Sequence, residues 1–379
     1  KKNIEKKRLI TEQTTSVYQT EFNQIGSRLS NRLSSEEWID IYRTLVYWEL
    51  ELSTSDDKAM DEVLVMQKNE ANQAFFRFVK ENYASWFGKP LGERPLMSTD
   101  LFRQKVFPKL QNGEKVFVLL IDNLRFDQWK MISPIISEYF IIDEEALYFS
   151  ILPTATMYAR NSIFAGLMPS EIEKIYPLMW EFDDNEGNKN QHEEELLQKQ
   201  MNRLGRKEKL FFDKVSNFKS GKKLSDTLRS IRDSDLSVLV FNFVDMISHA
   251  RTEMDMIREL ASDEKAYRSL TLSWFMHSSL LDLLKTLSGM AVRVVITTDH
   301  GTIRVNNPLK VIGDRETNTN LRYKLGRNLN YKSKQVFEIG NPHEVFLPSR
   351  NVSTSYIFAQ NTDFFVYPNN YNYFANYYS

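Results

Sequence analysis

The chain of 379 residues carries 49 Lys and Arg against 50 Asp and Glu, a net charge of −1, with 42% hydrophobic and 26% charged residues. It is long enough for two domains and too apolar for wholesale disorder, and because it is not basic as a whole, a nucleic-acid partner would have to be met by a local patch. The absence of Cys excludes disulfides and thiolate metal sites and suits a reducing cytoplasm, so any zinc must use His, Asp, Glu or hydroxyl ligands.

In chain order, residues 1 to about 90 read as a helical module. Ser34-x-x-Glu37 is a capping box, and Trp38, Ile41, Leu45, Trp48 and Leu52 follow it at helical spacing. Ile4, Phe22, Ile25 and Leu29 before it, and Met60, Val63, Leu64, Phe75, Phe76 and Val79 after it, predict two further helices. Three antiparallel helices burying these faces is the economical arrangement, although the aromatics could instead form a dimer face. Gly88, Pro90, Gly92 and Pro95 form a connector. The chain opens on Lys1 in mid-pattern, which reads as part of something longer, and no signal peptide or apolar run of about 20 residues is present.

Beyond the connector, strands alternate with helices. Residues 116–121 (VFVLLI), 236–243 (LSVLVFNF) and 292–297 (VRVVIT) are short apolar runs without polar alternation, the signature of central strands covered on both faces. Helical stretches lie between them, one over residues 271–287. The fold class is α/β, a doubly wound and mostly parallel sheet behind the helical module. Residues 91–379 form that domain, with a cap-like insertion expected at about 168–232.

The three strands end in chemistry. The first runs into Asp122, the second into Asp245 with His249 four residues on, and the third into Asp299-His300-Gly301. Open α/β sheets bind ligands at the carboxyl ends of their strands. Three carboxylates and two imidazoles at one edge suit zinc or manganese, and could serve two metals about 4 Å apart, as in phosphoryl displacement. Asp127 reads as a helix cap. Residues 152–157 (LPTATM) precede a helix over about 158–167 that ends near Gly166 and Pro169. A hydroxyl there lies where a helix presents unsatisfied N–H groups, and either Thr154 or Thr156 could be the nucleophile.

The motifs I-D-N-L-R-x-D, L-P-T-A-T-M-Y-A-R-N, V-D-M-I-S-H and T-T-D-H-G, in this order, resemble the alkaline phosphatase superfamily and its PglZ branch. The likeness runs over about residues 110–379 and includes the segments from Asp314 and from Phe364. With the helical module in front, the whole is similar to response regulators of type IX secretion, although no receiver pattern is read here. The resemblance implies that Thr156 is the nucleophile, with Thr154 as second choice. It implies one zinc held by Asp122, Thr156, Asp299 and His300, and a second held by Asp245, His249 and one further His. That His belongs in the family to an H-G-G motif soon after the segment from Phe364, so either this ligand lies beyond Ser379 or the second zinc binds weakly. His343 is the spare imidazole that could replace it; His192 reads as a solvated helix start and His277 as structural.

Arg160 and Asn161 are candidates for holding phosphoryl oxygens. A basic stretch with interleaved Tyr323 and Tyr331 adds Arg315, Arg322 and Lys324 as substrate-binding candidates, since guanidinium forks and aromatic faces suit phosphates and bases. A second runs from Arg203 to Lys223 within the expected cap. The expected activity is a cytoplasmic zinc-dependent phosphodiesterase acting on nucleotides or oligonucleotides. The alternative is a signalling module that forms a homodimer and contacts a secretion-motor component or a sigma factor.

Overall fold

A computed structural model describes residues 2–54, 58–182, 190–215, 221–313, 317–318 and 320–367. It forms two compact units, Lys1–Pro95 and Leu96–Ser379.

The first unit is three helices, α1 (Lys2–Leu29), α2 (Ser35–Leu52) and α3 (Lys58–Trp86). The 3–4 spacing of α2 places Trp38, Ile41, Leu45, Trp48 and Leu52 in one core with Tyr18, Ile25 and Leu29 of α1 and Leu64, Ala71 and Ala74 of α3. Trp48 meets the Tyr18 ring at 5.1 Å, and Trp38 meets Phe75 at 5.2 Å. The aromatics of that pattern are therefore largely spent inside the unit. The capping box forms reciprocally. Glu37 N donates to Ser34 Oγ at 3.2 Å, and Ser34 N donates to Glu37 Oε2 at 2.7 Å. The Ser34→Ala variant is expected to cost about 1 kcal/mol, measured as faster amide exchange along the first turns of α2.

The second unit begins with short non-α helical turns over residues 98–113 and continues with β1 (Lys115–Ile121), α4 (Phe126–Ile136), α5 (Thr156–Ala165), α6 (Pro169–Ile175), α7 (Glu193–Arg203), β2 (Leu210–Val215), α8 (Gly221–Arg232), β3 (Leu236–Phe241), α9 (Phe243–Glu253), α10 (Asp255–Leu260), α11 (Glu264–Met276), α12 (Ser279–Ser288) and β4 (Val292–Thr297). The central sheet has the order β2-β3-β1-β4 and is parallel throughout. Phe117, Leu119 and Ile121 of β1 pack with Ile132 and Ile136 of α4, Ile231 of α8 and the leucines of α12 on one face. On the other face, Phe164 of α5 meets Phe212 of β2 at 5.3 Å. Both faces are covered, as the unbroken apolar runs require.

Four differences from the sequence reading have physical causes. Part of the segment expected as a cap joins the central sheet, where β2 pairs with β3 from Leu210↔Leu236 to Val215↔Phe241. The strand expected to reach Phe243 stops at Phe241, where its pairing with β1 ends, and Asp245 lies in the first turn of α9. The helix expected over 271–287 is two helices, because Ser278 Oγ accepts from Leu281 N at 3.3 Å and restarts the chain as α12. Finally, residues 307–366 hold five short strands that no run announced. These are β5 (Asn307–Lys310), β6 (Tyr323–Arg327), β7 (Val336–Ile339), β8 (Thr354–Ala359) and β9 (Asp363–Val366). β5 pairs with β9 in parallel, and β6-β8-β7 is an antiparallel sheet.

Gly166 closes α5 in the left-handed region at φ 60. A Cβ there would lie 1.9 Å from Gln200 Nε2, so the glycine also permits the close approach of α7. No described helix is long and apolar enough to cross a membrane.

Candidate active site

β1 lies between β3 and β4, so the loops after these three strands converge. Asp122 follows β1 directly and Asp299 comes two residues after β4. Among the described residues, Asp122, Asp299 and His300 form the group suited to a metal ion, with one ligand atom from each within 4.8 Å of the others. His300 Nε2 stands 3.6 Å from Asp122 Oδ1 and 3.8 Å from Asp299 Oδ2. Both oxygens are buried and accept no hydrogen bond. Buried carboxylate oxygens without donors are costly, and a cation is the group that removes the cost.

The surroundings fix these ligands. Asn123, at φ 61, turns the chain so that its N–H donates to Asp299 Oδ1 at 3.2 Å. His300 N reaches the same oxygen at 3.0 Å, which leaves Asp299 Oδ2 as the outward one. His300 Nδ1 lies 3.0 Å from the Gly301 carbonyl. A carbonyl only accepts, so Nδ1 carries a proton, and Nε2 is the nitrogen turned to the site, able to ligate a cation when it is deprotonated. Ser150 Oγ donates to the Asp299 carbonyl at 3.0 Å, and the Tyr148 hydroxyl donates to the Thr298 carbonyl. Tyr148, Ser150 and Asn123 escaped the sequence reading. The first two lie in a segment without periodicity, and the only signal for Asn123 is an Asn after an acidic strand end, a residue that tolerates positive φ.

The electrostatics reflect the crowding of acids around one imidazole. Burial and then the neighbouring Asp299 push the Asp122 carboxyl up to about 7, against the pull of Arg160. Burial alone would lower His300, but Asp299 and Asp122 outweigh it and raise it. For Asp245, burial is outweighed by His249 and His300, which hold it below the usual carboxylate range.

Thr156 is the first residue of α5, and its Oγ1 lies 2.8 Å from His300 Nε2. With Nδ1 donating, the hydroxyl is the donor whenever the ring is neutral. The first N–H groups of α5, which a helix cannot satisfy internally, lie at the same end. Thr154 is exposed. Of the two threonines considered, the structure brings Thr156 to the ligand group.

Asp245 and His249 form an i,i+4 pair at 3.4 Å on α9. Asn123 Nδ2 donates to Asp245 Oδ1 at 3.3 Å and ties the pair to the first group. His249 is 69% exposed on its side chain, and among the described residues no third ligand joins the two. His343 does not supply it. It sits on a tight turn 3.3 Å from Ser349 Oγ and acts on Glu173. His192 meets Glu195 at the start of α7, and His277 closes α11. Asp127 lies in the first turn of α4, paired with Arg125 and Arg268.

The expected substrate-binding residues are placed differently. Arg160 is 3% exposed and turned to protein carboxylates. Its Nη1 donates to Asp122 Oδ2 at 2.7 Å and its Nε donates to Glu193 Oε1 at 2.6 Å. Asn161 is buried beside it on α5. Arg322 is no open phosphate fork, because its Nη1 donates to the carbonyls of Asp363 and Gln360. Lys324 is also buried, with Nζ on the Asn318 carbonyl at 2.8 Å and 5.0 Å from the Tyr367 ring centre. Both cations are taken up by backbone carbonyls inside the unit, which explains why they face inward. Arg315 lies outside the described residues. Glu193, read as part of a solvated acidic run, is fully buried.

No curated protein matches the chain. Residues 8–87 match the family described as the PorX response regulator linker domain. Residues 101–376 match the BREX system PglZ alkaline phosphatase-like domain. That span contains Asp122, Thr156, Asp245, His249, Asp299 and His300. A parallel sheet delivering acidic ligands from its strand ends, with a threonine at a helix start against them, thus places the chain in the PglZ alkaline phosphatase-like family.

Proposed function

We propose that the Leu96–Ser379 unit is a zinc-dependent phosphodiesterase with Thr156 as nucleophile. The observation that carries the reading is the approach of Thr156 Oγ1 to His300 Nε2 at 2.8 Å, beside two buried carboxylate oxygens that lack donors. A zinc ion held by Asp122, Asp299, His300 and Thr156 would supply Lewis-acid charge to the reacting oxygens. The residues do the rest. Asn123 and the His300 N–H orient Asp299, the Gly301 carbonyl orients His300, and the start of α5 offers N–H groups to phosphoryl oxygens. Thr156 Oγ gives up its proton and forms the new bond to phosphorus as the bond to the leaving oxygen breaks, the leaving oxygen takes up one proton in exchange, and water then cleaves the phosphothreonine and restores the hydroxyl. Nucleotide or oligonucleotide diesters are the proposed substrates, a choice that rests on the threonine nucleophile and the resemblance. The linker match supports reading this unit as the output domain of a response regulator, and control of type IX secretion is its proposed role.

A second reading is a module that dimerises and contacts a secretion component or sigma factor with little catalysis. The two-ligand Asp245–His249 pair favours it, since a single filled site would be a weak diesterase.

The test is hydrolysis of bis(p-nitrophenyl) phosphate with added zinc by the parent and by Thr156→Ala. Turnover by the parent that vanishes in the variant is the expected result. Equal turnover in the two removes Thr156 as nucleophile, and no turnover by the parent leaves the binding module as the reading.

A further inference from the structure

A line of alternating charge runs from the half-buried Lys214 at the sheet edge into the buried site. Lys214 of β2 meets Glu193 Oε2 at 3.0 Å. Glu193 Oε1 accepts from Arg160 Nε at 2.6 Å, and Arg160 Nη1 reaches Asp122 Oδ2 at 2.7 Å. Glu193 and Arg160 are 0% and 3% exposed. Neither is expected to bind a cation, and neither faces open solvent.

We propose that Glu193 is a positioning residue for the cation site, acting through Arg160. The proposal rests on the metal reading above. A carboxylate turns about its last torsion, and Arg160 stops that turning by holding Asp122 Oδ2. Oδ1 is then the oxygen left toward His300 Nε2 and Asp299. Arg160 Nη1 is also only 3.8 Å from Asp299 Oδ2, the other outward oxygen. A guanidinium free to swing would settle between the two carboxylates and cover the atoms that a cation needs. The bond from Arg160 Nε to Glu193 prevents that swing, and Lys214 neutralises the second Glu193 oxygen. Because Arg160 lies one turn beyond Thr156 on α5, the same guanidinium fixes the nucleophile's helix against the ligand. Groups behind metal ligands commonly set affinity by tenfold to a hundredfold.

The experiment titrates cobalt(II), a coloured substitute for zinc, into the full chain and into its Glu193→Gln and Glu193→Asp variants, reading affinity and the visible spectrum. Melting temperatures of the metal-free proteins are measured alongside. Glu193→Gln is expected to bind cobalt about 10- to 100-fold more weakly and to change the absorption band. Glu193→Asp keeps the charge but draws back from Arg160, and is expected to lose a smaller part of the affinity. It also serves if the Gln variant does not fold. A purely structural role would lower the metal-free melting temperature and leave the affinity and spectrum of the folded variants at the parent's values, and that result overturns the proposal. If the parent itself binds no cobalt, the metal reading fails first and this one falls with it.

Discussion

Asp299→Asn is expected to remove the cation-dependent stabilisation and to lower diester hydrolysis by about a thousandfold or more, while leaving the metal-free protein at least as stable as the parent. The two halves of this expectation come from the two oxygens of one side chain. Oδ1 accepts from Asn123 N and His300 N, and an asparagine Oδ1 keeps both bonds. Oδ2 is buried without a donor and lies in the group with Asp122 and His300. An amide nitrogen there can donate to Asp122, and it removes the charge that helps to push the Asp122 carboxyl up to about 7. The metal-free site thereby loses a repulsion. With the cation the balance reverses. A ligand present at a thousand times its dissociation constant stabilises a folded protein by about 4 kcal/mol, and the variant forgoes that gain. Several kcal/mol of transition-state charge stabilisation correspond to a thousandfold or more in rate. Thermal melting with and without zinc, alongside bis(p-nitrophenyl) phosphate turnover, checks both halves. A variant that still gains stability from zinc would show that Asp299 is not a ligand.

Among the described residues, Arg160 stands as a permanent cation beside the carboxylates of the site. Arg160 compensates Asp122 and approaches Asp299, whereas Asp245 is compensated from its other side by His249 and Asn123. The first ligand group thus brings two donor-less carboxylate oxygens to one imidazole nitrogen, with the other oxygens of the same carboxylates held by fixed donors. The second pair is open, with His249 largely in solvent. Occupancy is therefore expected to be unequal between the two.

What was legible in the sequence follows from burial. β1, β3 and β4 were readable because strands covered on both faces need unbroken apolar runs, and an acidic residue at the end of such a run stands out. The start of α5 was readable from its threonines and from Gly166. The edge strand β2 was not, because Asp213 and Lys214 interrupt it inside a basic segment. The strands of residues 307–366 are only four to six residues long and carry no period that a window can detect. The least legible feature is buried charge. Glu193 belongs to an acidic run and Arg322 and Lys324 to a basic one, and each looks solvated until its partner is known. Those partners are set by the fold: Glu193 lies 33 residues from Arg160, and Asn123 lies 176 from Asp299. No local pattern records pairings of that kind.

The same logic applies to the cluster at the start of α4, where the largest loss of stability is expected. Asp127 Oδ2 lies 2.7 Å from Arg125 Nη2 and 3.2 Å from Arg268 Nη1, and Arg125 also meets Glu264 at 2.6 Å. These contacts fasten α4, which follows the Asp122 turn, to α11. Asp127→Asn leaves two buried guanidiniums facing an amide, and breaking one partner of a buried pair costs about 3–5 kcal/mol. For a unit of this size that is a fall in melting temperature on the order of 10 °C. The pH dependence has a definite sign. Burial would raise the Asp127 carboxyl, but Arg125 and Arg268 outweigh it and hold it below the usual range. A depressed folded-state value means that the stabilisation is complete above the unfolded value of about 3.9 and disappears as pH falls through the folded one. Between pH 5 and 8 the gap between parent and Asp127→Asn is therefore expected to stay constant. Below about pH 4 it should close, because the parent takes up the proton whose binding the variant cannot register. Melting curves of the two proteins from pH 8 downward measure this directly. A gap that narrowed already between pH 7 and 5 would mean that the carboxyl is not held low by its arginines.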